Sequence, residues 1–136
     1  NFDVTVYTHA DCKDILPTAI YGGKIDYYDT MPTVFQHSKL NLNITLKTIQ
    51  TGIPLRAWDI LGCGGFLLTN FQQELCDFFI PGEDFVYYES PADAIEKAAY
   101  FLSHDRERQE ITHNAFEKIA ASHTFHHRVQ SMFEII

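Results

Sequence analysis

A glycine-bearing loop that runs into a predicted helix is the stretch of this sequence best suited to hold a charged ligand. The loop, residues 47–54, follows a predicted strand at 40–45. Gly52 allows a close backbone approach, and Pro54 places its missing N–H where a helix start needs no partner. The free N–H groups and the positive dipole end of the helix would attract an anion, and Arg56 adds a cation. An ordinary connection between a strand and a helix is the alternative, and spacing alone leaves both open.

Histidines are the side chains that would suggest a metal site. The chain has seven, and the closest group is His123, His126 and His127. His123 and His127 share a helix face only if the helix has already begun at His123, and the pattern places that residue at or before the cap. No cysteine or carboxylate completes a ligand set there. The sequence therefore predicts no metal site.

Three further residues are candidates for lining a cleft. His9 follows the first predicted strand, so it lies at the carboxyl end of a sheet, where open parallel sheets bind their ligands. A solvated loop histidine is the other interpretation. Tyr27 and Tyr28 are adjacent, and they either line a pocket for a base or pack on alternate faces in the core.

The elements that must position these residues are short strands alternating with helices. Most of the predicted strands are apolar runs and do not strictly alternate polar and apolar residues, which is typical of a parallel sheet covered on both faces. We therefore predict an α/β fold, a Rossmann-like parallel sheet with helices on both faces and C-terminal helices packed on it. The strands are predicted at 4–8, 24–28, 40–45, 66–69 and 85–88. The helices are predicted from Asp29 or Thr30 to about 38, at 55–61 and 71–79, after a capping box at Ser90, from about 105, and from about 124 with an apolar stripe of Phe125, Val129, Met132, Phe133 and Ile136.

Composition narrows the class of protein. A chain of 136 residues fits one domain, and its net charge of −8 argues against a nucleic-acid partner, which requires a clustered basic surface. No apolar run approaches the roughly 20 residues of a transmembrane segment, and residues 1–8 do not read as a signal peptide. Cys12, Cys63 and Cys76 are scattered, which favours free, mostly buried thiols and a cytoplasmic location.

A longer stretch resembles a known family. Residues 51–70, TGIPLRAWDILGCGGFLLTN, resemble the signature stretch of group 1 glycosyltransferases, in which a glycine-bearing loop enters a helix with an acidic residue and a Cys-Gly turn and a strand follow. The flanks resemble the branch related to spore maturation proteins. They are the Tyr27–Tyr28 pair, the Leu-Asn-Leu-Asn run at 40–43 and a final His-Thr-Phe…Arg at 123–128.

The resemblance implies a GT-B architecture, with two Rossmann-like halves and the active site between them. Residues 1–136 would be the C-terminal, donor-binding half, without its first strand and helix, and the partners would be a nucleoside diphosphate sugar and the N-terminal half. The family's ribose-binding acidic residue maps onto Asp59. Its glycine-rich loop maps onto Thr51 and Gly52, with Ile53 and Arg56 beside them. Such enzymes need no metal or cofactor, and the catalytic residues are not assigned.

Two departures from the family pattern leave a second hypothesis open. Many group 1 enzymes carry a glutamate eight positions before the ribose-binding one, and Thr51 stands there; Asp59 stands where glutamate is commoner. A non-catalytic scaffold derived from a transferase half, in cell-envelope or spore-coat assembly, is therefore the alternative. A phosphoacceptor receiver domain is excluded, because Thr8–His9 and the 43–45 stretch supply none of the acidic residues it needs.

Overall fold

Two short parallel strands begin the fold. The structure, a computed structural model, describes residues 2–10, 13–46, 48–49 and 51–135. β1 (Thr5–Tyr7) pairs with β2 (Ile20–Gly23), with Thr5 opposite Ile20 and Tyr7 opposite Gly23. Most side chains of this pair are exposed. The pair forms a sheet of its own, so the described residues hold two parallel sheets rather than a single one.

The second sheet carries the core. Its strands are β3 (Asn41–Asn43), β4 (Leu67–Asn70) and β5 (Val86–Tyr88), all parallel, with β4 in the centre. Leu67 and Leu68 are both almost fully buried but belong to different hydrophobic clusters. Successive strand residues point to opposite faces of a sheet, so apolar side chains cover β4 on both sides. The predicted α/β fold with helices on both faces is confirmed.

Within the described ranges, five α-helices and one 3₁₀ helix connect and cover the strands. The helix α2 packs on β3 and β4, α3 packs on β5, and α4 packs on both α2 and α3. Ser90 accepts from the backbone N–H of Asp93 at 3.2 Å, so the predicted cap of α3 is present. The bounds are α1 Met31–His37, α2 Leu55–Gly62, the 3₁₀ helix Gln73–Asp77, α3 Pro91–Ser103, α4 Asp105–Ser122 and α5 Phe125–Glu134.

The predicted strand at 24–28 is wrong. The strand is Ile20–Gly23, residues 24–26 have no regular secondary structure, and residues 27–30 form a turn. The strand is held by its pairing with β1, and the ring of Tyr7 lies so close to Gly22 that a Cβ there would come within 2.2 Å of that ring, so only glycine fits this position. The chain then turns because the Asp26 carboxylate accepts from the backbone N–H groups of Tyr28 and Asp29, at 2.9 and 2.7 Å.

The helical predictions at 71–79 and for the last stripe also need correction. Residues 71–79 form only the short 3₁₀ helix, because Gln72 stays extended to reach the neighbouring loop. In α5 the predicted apolar stripe lies in solvent: Phe125 is 86% exposed and Phe133 73%. This helix is held at its N-terminal end instead of packing on the sheet; Ile136 lies outside the described residues.

Candidate functional site

The start of α2 has the geometry that the sequence predicts. The helix begins at Leu55 after Pro54, which offers no side-chain cap. Gly52 has a φ of +92°, a left-handed backbone that favours glycine. Ile53 is half-buried and packs against the main hydrophobic cluster, which fixes the loop close to the helix. Thr51 and Arg56 are exposed at this end of the helix, whereas Lys47 and Gln50 lie outside the described residues.

Glu74 is a residue of this site that sequence reasoning missed. It lies on the 3₁₀ helix after β4, and its carboxylate accepts a hydrogen bond from the backbone N–H of Gly52. The backbone N–H of Gly52 is therefore already hydrogen-bonded to a carboxylate of the same chain. No local pattern could reveal this contact, because it joins a loop residue to a residue of the 3₁₀ helix 22 positions later.

Asp59 and Tyr27 form the second contact of the site. Asp59 lies one turn into α2 and is half-buried, and the Tyr27 hydroxyl donates to its Oδ2 at 2.7 Å. This hydrogen bond and the nearby negative charge raise the pKa of Tyr27. The ring of Tyr28 meets that of Tyr27 edge-on, with centroids 5.1 Å apart, and is 83% exposed. Tyr27 is thus joined to Asp59, and neither tyrosine is packed in the core.

A buried polar network fixes the point where the loop leaves β3. The Asn43 side chain donates to Thr69 Oγ1 at 3.1 Å. Asn70 pairs with the backbone of Thr45 in both directions, at 2.7 and 3.2 Å, and Gln72 donates to Thr45 Oγ1. Gln72 Oε1 is buried without a hydrogen-bond partner. The signal for this network is the Asn-x-Asn-x-Thr alternation at 41–45, whose polar residues face inward.

The sequence matches one protein family over almost its whole length. The model of the glycosyl transferase-like family matches residues 4–134. The chain belongs to the glycosyl transferase-like family. The predicted membership of a group 1-type glycosyltransferase family is therefore confirmed at this level, whereas the spore maturation branch stays a prediction. No curated protein matches the chain.

A solved structure has a similar fold. It is the C-terminal domain of a glycosyl transferase group 1 family protein (LpcC) from Francisella tularensis. The TM-score is 0.66 at 12% sequence identity, and the match covers 82% of this chain and 57% of that one. The likeness shows that this glycosyl transferase-like domain has the fold of a GT-B C-terminal half. The chain spans little more than half the length of the solved structure.

The motif at 123–128 has a structural role in the glycosyl transferase-like domain. The ring of His123 packs against Trp58 and Phe78, with centroids 5.4 and 5.5 Å apart, and Arg128 lies over the same two rings. Thr124 caps α5 by accepting from the backbone N–H of His127. Burial is the main cause that lowers the pKa of His123, and the Arg128 charge adds to it. The motif therefore anchors the last helix to α2.

The other candidate positions, His9 and Arg56, make no contact with the Tyr27–Asp59 pair through a hydrogen bond or ion pair among the described residues. His9 is exposed in the bend after β1, and Arg56 is exposed in the first turn of α2. No group of three potential metal ligands occurs in the described ranges. Within the part of the chain that the structure covers, no helix combines the length and the apolar character needed to cross a membrane.

A groove of about 390 Å³ lies at the opposite end of α2 from Gly52. Cationic and imidazole groups line it, together with a thiol; burial, followed by the Asp59 charge, raises the pKa of that thiol, Cys63. None of the predicted donor-binding residues belongs to the groove. Cys63 and Cys76 are free and half-buried, and Cys12 lies outside the described residues. The lining includes His37, Lys39, Cys63, Arg108 and His113.

Proposed function

We propose that this domain binds the nucleoside diphosphate sugar of a glycosyltransferase at the start of α2. The observation that carries the proposal is the placement of Asp59. Its carboxylate is half-buried one turn into the helix that follows the Gly52 loop, and Tyr27 holds one of its oxygens. A family membership that covers residues 4–134 supports a transferase role.

In this proposal each element of the site has one task. The Asp59 carboxylate accepts hydrogen bonds from the ribose hydroxyls, since an ionised carboxylate is an acceptor only. The N-terminal end of α2, with Thr51, Gly52, Ile53 and Arg56, lies beside the diphosphate, where the helix dipole and the Arg56 charge favour an anion. Stabilising the departing diphosphate is the domain's contribution to the glycosyl transfer.

We assign no nucleophile or base to this chain. Transfer requires donor and acceptor in one fixed geometry, and such positioning supplies a large part of an enzymatic rate. In a GT-B enzyme the acceptor side belongs to the N-terminal half. We therefore propose that the N-terminal Rossmann half is the functional partner and that these 136 residues do not transfer sugar by themselves.

Calorimetric titration of the chain with UDP, GDP, ADP, CDP and dTDP tests the proposal. We expect weak binding of at least one of them, which EDTA does not abolish, because the site is built from a carboxylate, a helix start and an arginine. Binding that disappears with EDTA and returns with Mg²⁺ or Mn²⁺ would overturn the metal-independent part. Absence of binding by the chain and by the longer protein that contains it would overturn donor binding altogether.

A second candidate function is a scaffold derived from a transferase half. The observation that favours it is the hydrogen bond from the backbone N–H of Gly52 to Glu74. This bond leaves that N–H occupied by a carboxylate of the chain itself and not free for a phosphate. Thr51, in place of the family's glutamate, points the same way.

The flanking motifs support membership of the spore maturation branch, and the unpaired Cys63 and Cys76 support a cytoplasmic location.

A further inference from the structure

The hydroxyl of Tyr27 meets the carboxylate that the proposed function assigns to the ribose. Tyr27 lies in the turn before α1 and Asp59 lies on α2, 32 residues later, so the fold rather than local sequence brings them together. Their distance of 2.7 Å is that of a strong hydrogen bond to a charged acceptor. Tyr27 is 41% exposed, so the pair lies at the surface where a ligand can reach it.

The hydrogen bond from Tyr27 fixes the orientation of the Asp59 carboxylate and leaves it able to accept further hydrogen bonds. The two oxygens offer about four acceptor directions in total. Tyr27 uses one direction on Oδ2, and the remaining directions suffice for two hydroxyl donors. The bond also opposes rotation of the short aspartate side chain, which would otherwise have to be ordered when a ligand binds.

We propose that Tyr27 is a positioning residue that holds the Asp59 carboxylate in the orientation that accepts from the ribose hydroxyls. The domain then distinguishes ribonucleotides from 2′-deoxyribonucleotides through Asp59, and this discrimination depends on the Tyr27 hydroxyl. The proposal rests on the proposed function, since it assumes that a nucleotide binds beside Asp59.

A purely structural bond would behave differently. If the hydroxyl only ties the turn at 27–30 to α2, its loss lowers the melting temperature or weakens all nucleotides alike. A positioning hydroxyl matters more for a ligand that offers both ribose hydroxyls to Asp59 than for one that lacks the 2′-hydroxyl. The ratio of the two affinities is therefore the decisive quantity, because a general loosening of the fold leaves that ratio unchanged.

The variant Tyr27→Phe keeps the ring and removes the hydroxyl. Its matched control is Tyr100→Phe, because Tyr100 donates to the Glu107 carboxylate at 2.8 Å and is 44% exposed, on helices away from the loop. Affinities of the wild-type chain and both variants are measured by calorimetry for UDP and 2′-deoxy-UDP, and for the GDP and ADP pairs if the uridine pair does not bind.

We expect wild type to prefer the ribonucleotide and Tyr27→Phe to lose about fivefold in ribonucleotide affinity, or about 1 kcal/mol. The 2′-deoxynucleotide, which keeps the 3′-hydroxyl, loses less affinity, so the preference for the ribonucleotide shrinks, and Tyr100→Phe keeps the wild-type preference. If wild type prefers the ribonucleotide and Tyr27→Phe keeps that preference in full, the positioning role is wrong and the proposed function stands. If wild type binds neither, or binds both equally, the assignment of Asp59 to the ribose fails first and the inference falls with it.

Discussion

The backbone N–H of Gly52 donates to the carboxylate of Glu74. The contact joins the loop before α2 to the 3₁₀ helix after β4, at the end of α2 that our proposal gives to the diphosphate. A carboxylate and a phosphate compete for the same kind of donor, and their charges repel each other at short range. The free domain therefore holds an internal competitor of its proposed ligand.

Replacing Glu74 by Gln is expected to raise the affinity for a nucleoside diphosphate. The amide is a weaker acceptor than the carboxylate and carries no charge, so the gain is roughly three- to tenfold, or about 0.7–1.4 kcal/mol. Calorimetry at low and at high salt provides the measurement, and the gain should shrink as salt screens the lost repulsion. Glu96→Gln, an exposed glutamate on α3, controls for the change in net charge. A lower affinity together with a lower melting temperature would instead identify Glu74 as a brace for the loop.

Asp59→Asn addresses the ribose contact directly. The amide keeps the shape and can still accept from Tyr27, but it loses the charge and half of the acceptor capacity. We expect a tenfold or greater loss of nucleotide affinity, about 1.4 kcal/mol, with little change in melting temperature. A calorimetric titration and a thermal melt of the same preparation measure both. Loss of stability with unchanged affinity would assign Asp59 a structural role.

Local sequence patterns were sufficient to predict the helices and strands that carry their own capping residues or their own apolar face. The apolar runs that become β4 and β5, and the proline-started helices α1 and α3, are correctly predicted because each carries its own cap or its own buried face. The strand β3 is also correctly predicted, although its buried residues are polar. The register of β2 was not predictable. Two adjacent glycines are more typical of a turn than of a strand, and the ring of Tyr7, 15 residues earlier, occupies the place that a side chain at position 22 would need.

In the candidate site, too, local features could be predicted from the sequence and contacts between distant residues could not. The position of Asp59 and the left-handed Gly52 follow from a helix start, which is a local feature. Tyr27 was a candidate, but its partner was not predictable, because a hydrogen bond across 32 residues depends on the packing of α1 against α2. Glu74 was missed for the same physical reason. A glutamate on a short helix has no sequence feature that marks it as the acceptor of a distant backbone N–H.

Acid should destabilise the domain through His123. Burial among aromatic rings lowers its pKa in the folded chain, so the unfolded chain binds the proton more tightly. This contribution to stability is complete above the unfolded pKa of about 6.5 and is lost as the pH falls from there through the lower folded pKa. His123→Phe keeps a ring in the cluster and cannot titrate, so its melting temperature should fall less than that of wild type on acidification. His126→Gln, an exposed neighbour, should follow wild type. Equal slopes for all three proteins would contradict this role of His123.

The pair formed by Asp84 and Lys118 should contribute strongly to stability. Asp84 is 1% exposed, its Oδ2 accepts from the backbone N–H of Ile80 at 2.7 Å and contacts the Lys118 ammonium, and its Oδ1 is buried without a hydrogen-bond partner. Lys118→Met leaves this buried charge without its counter-ion. Because Lys118 is 38% exposed, the expected loss is about 2–3 kcal/mol, at or below the lower end for fully buried pairs.

Urea unfolding of three variants distinguishes the buried charge from the lost lysine contacts. Arg106→Gln breaks an exposed ion pair with Glu110 and should change the free energy of unfolding by less than about 1 kcal/mol. Asp84→Asn in the Lys118→Met background removes the unpaired charge while its amide oxygen still accepts from Ile80, so the double variant should be more stable than Lys118→Met alone. A double variant as unstable as the single one would mean that Lys118 acts through the packing of its aliphatic chain and not through its charge.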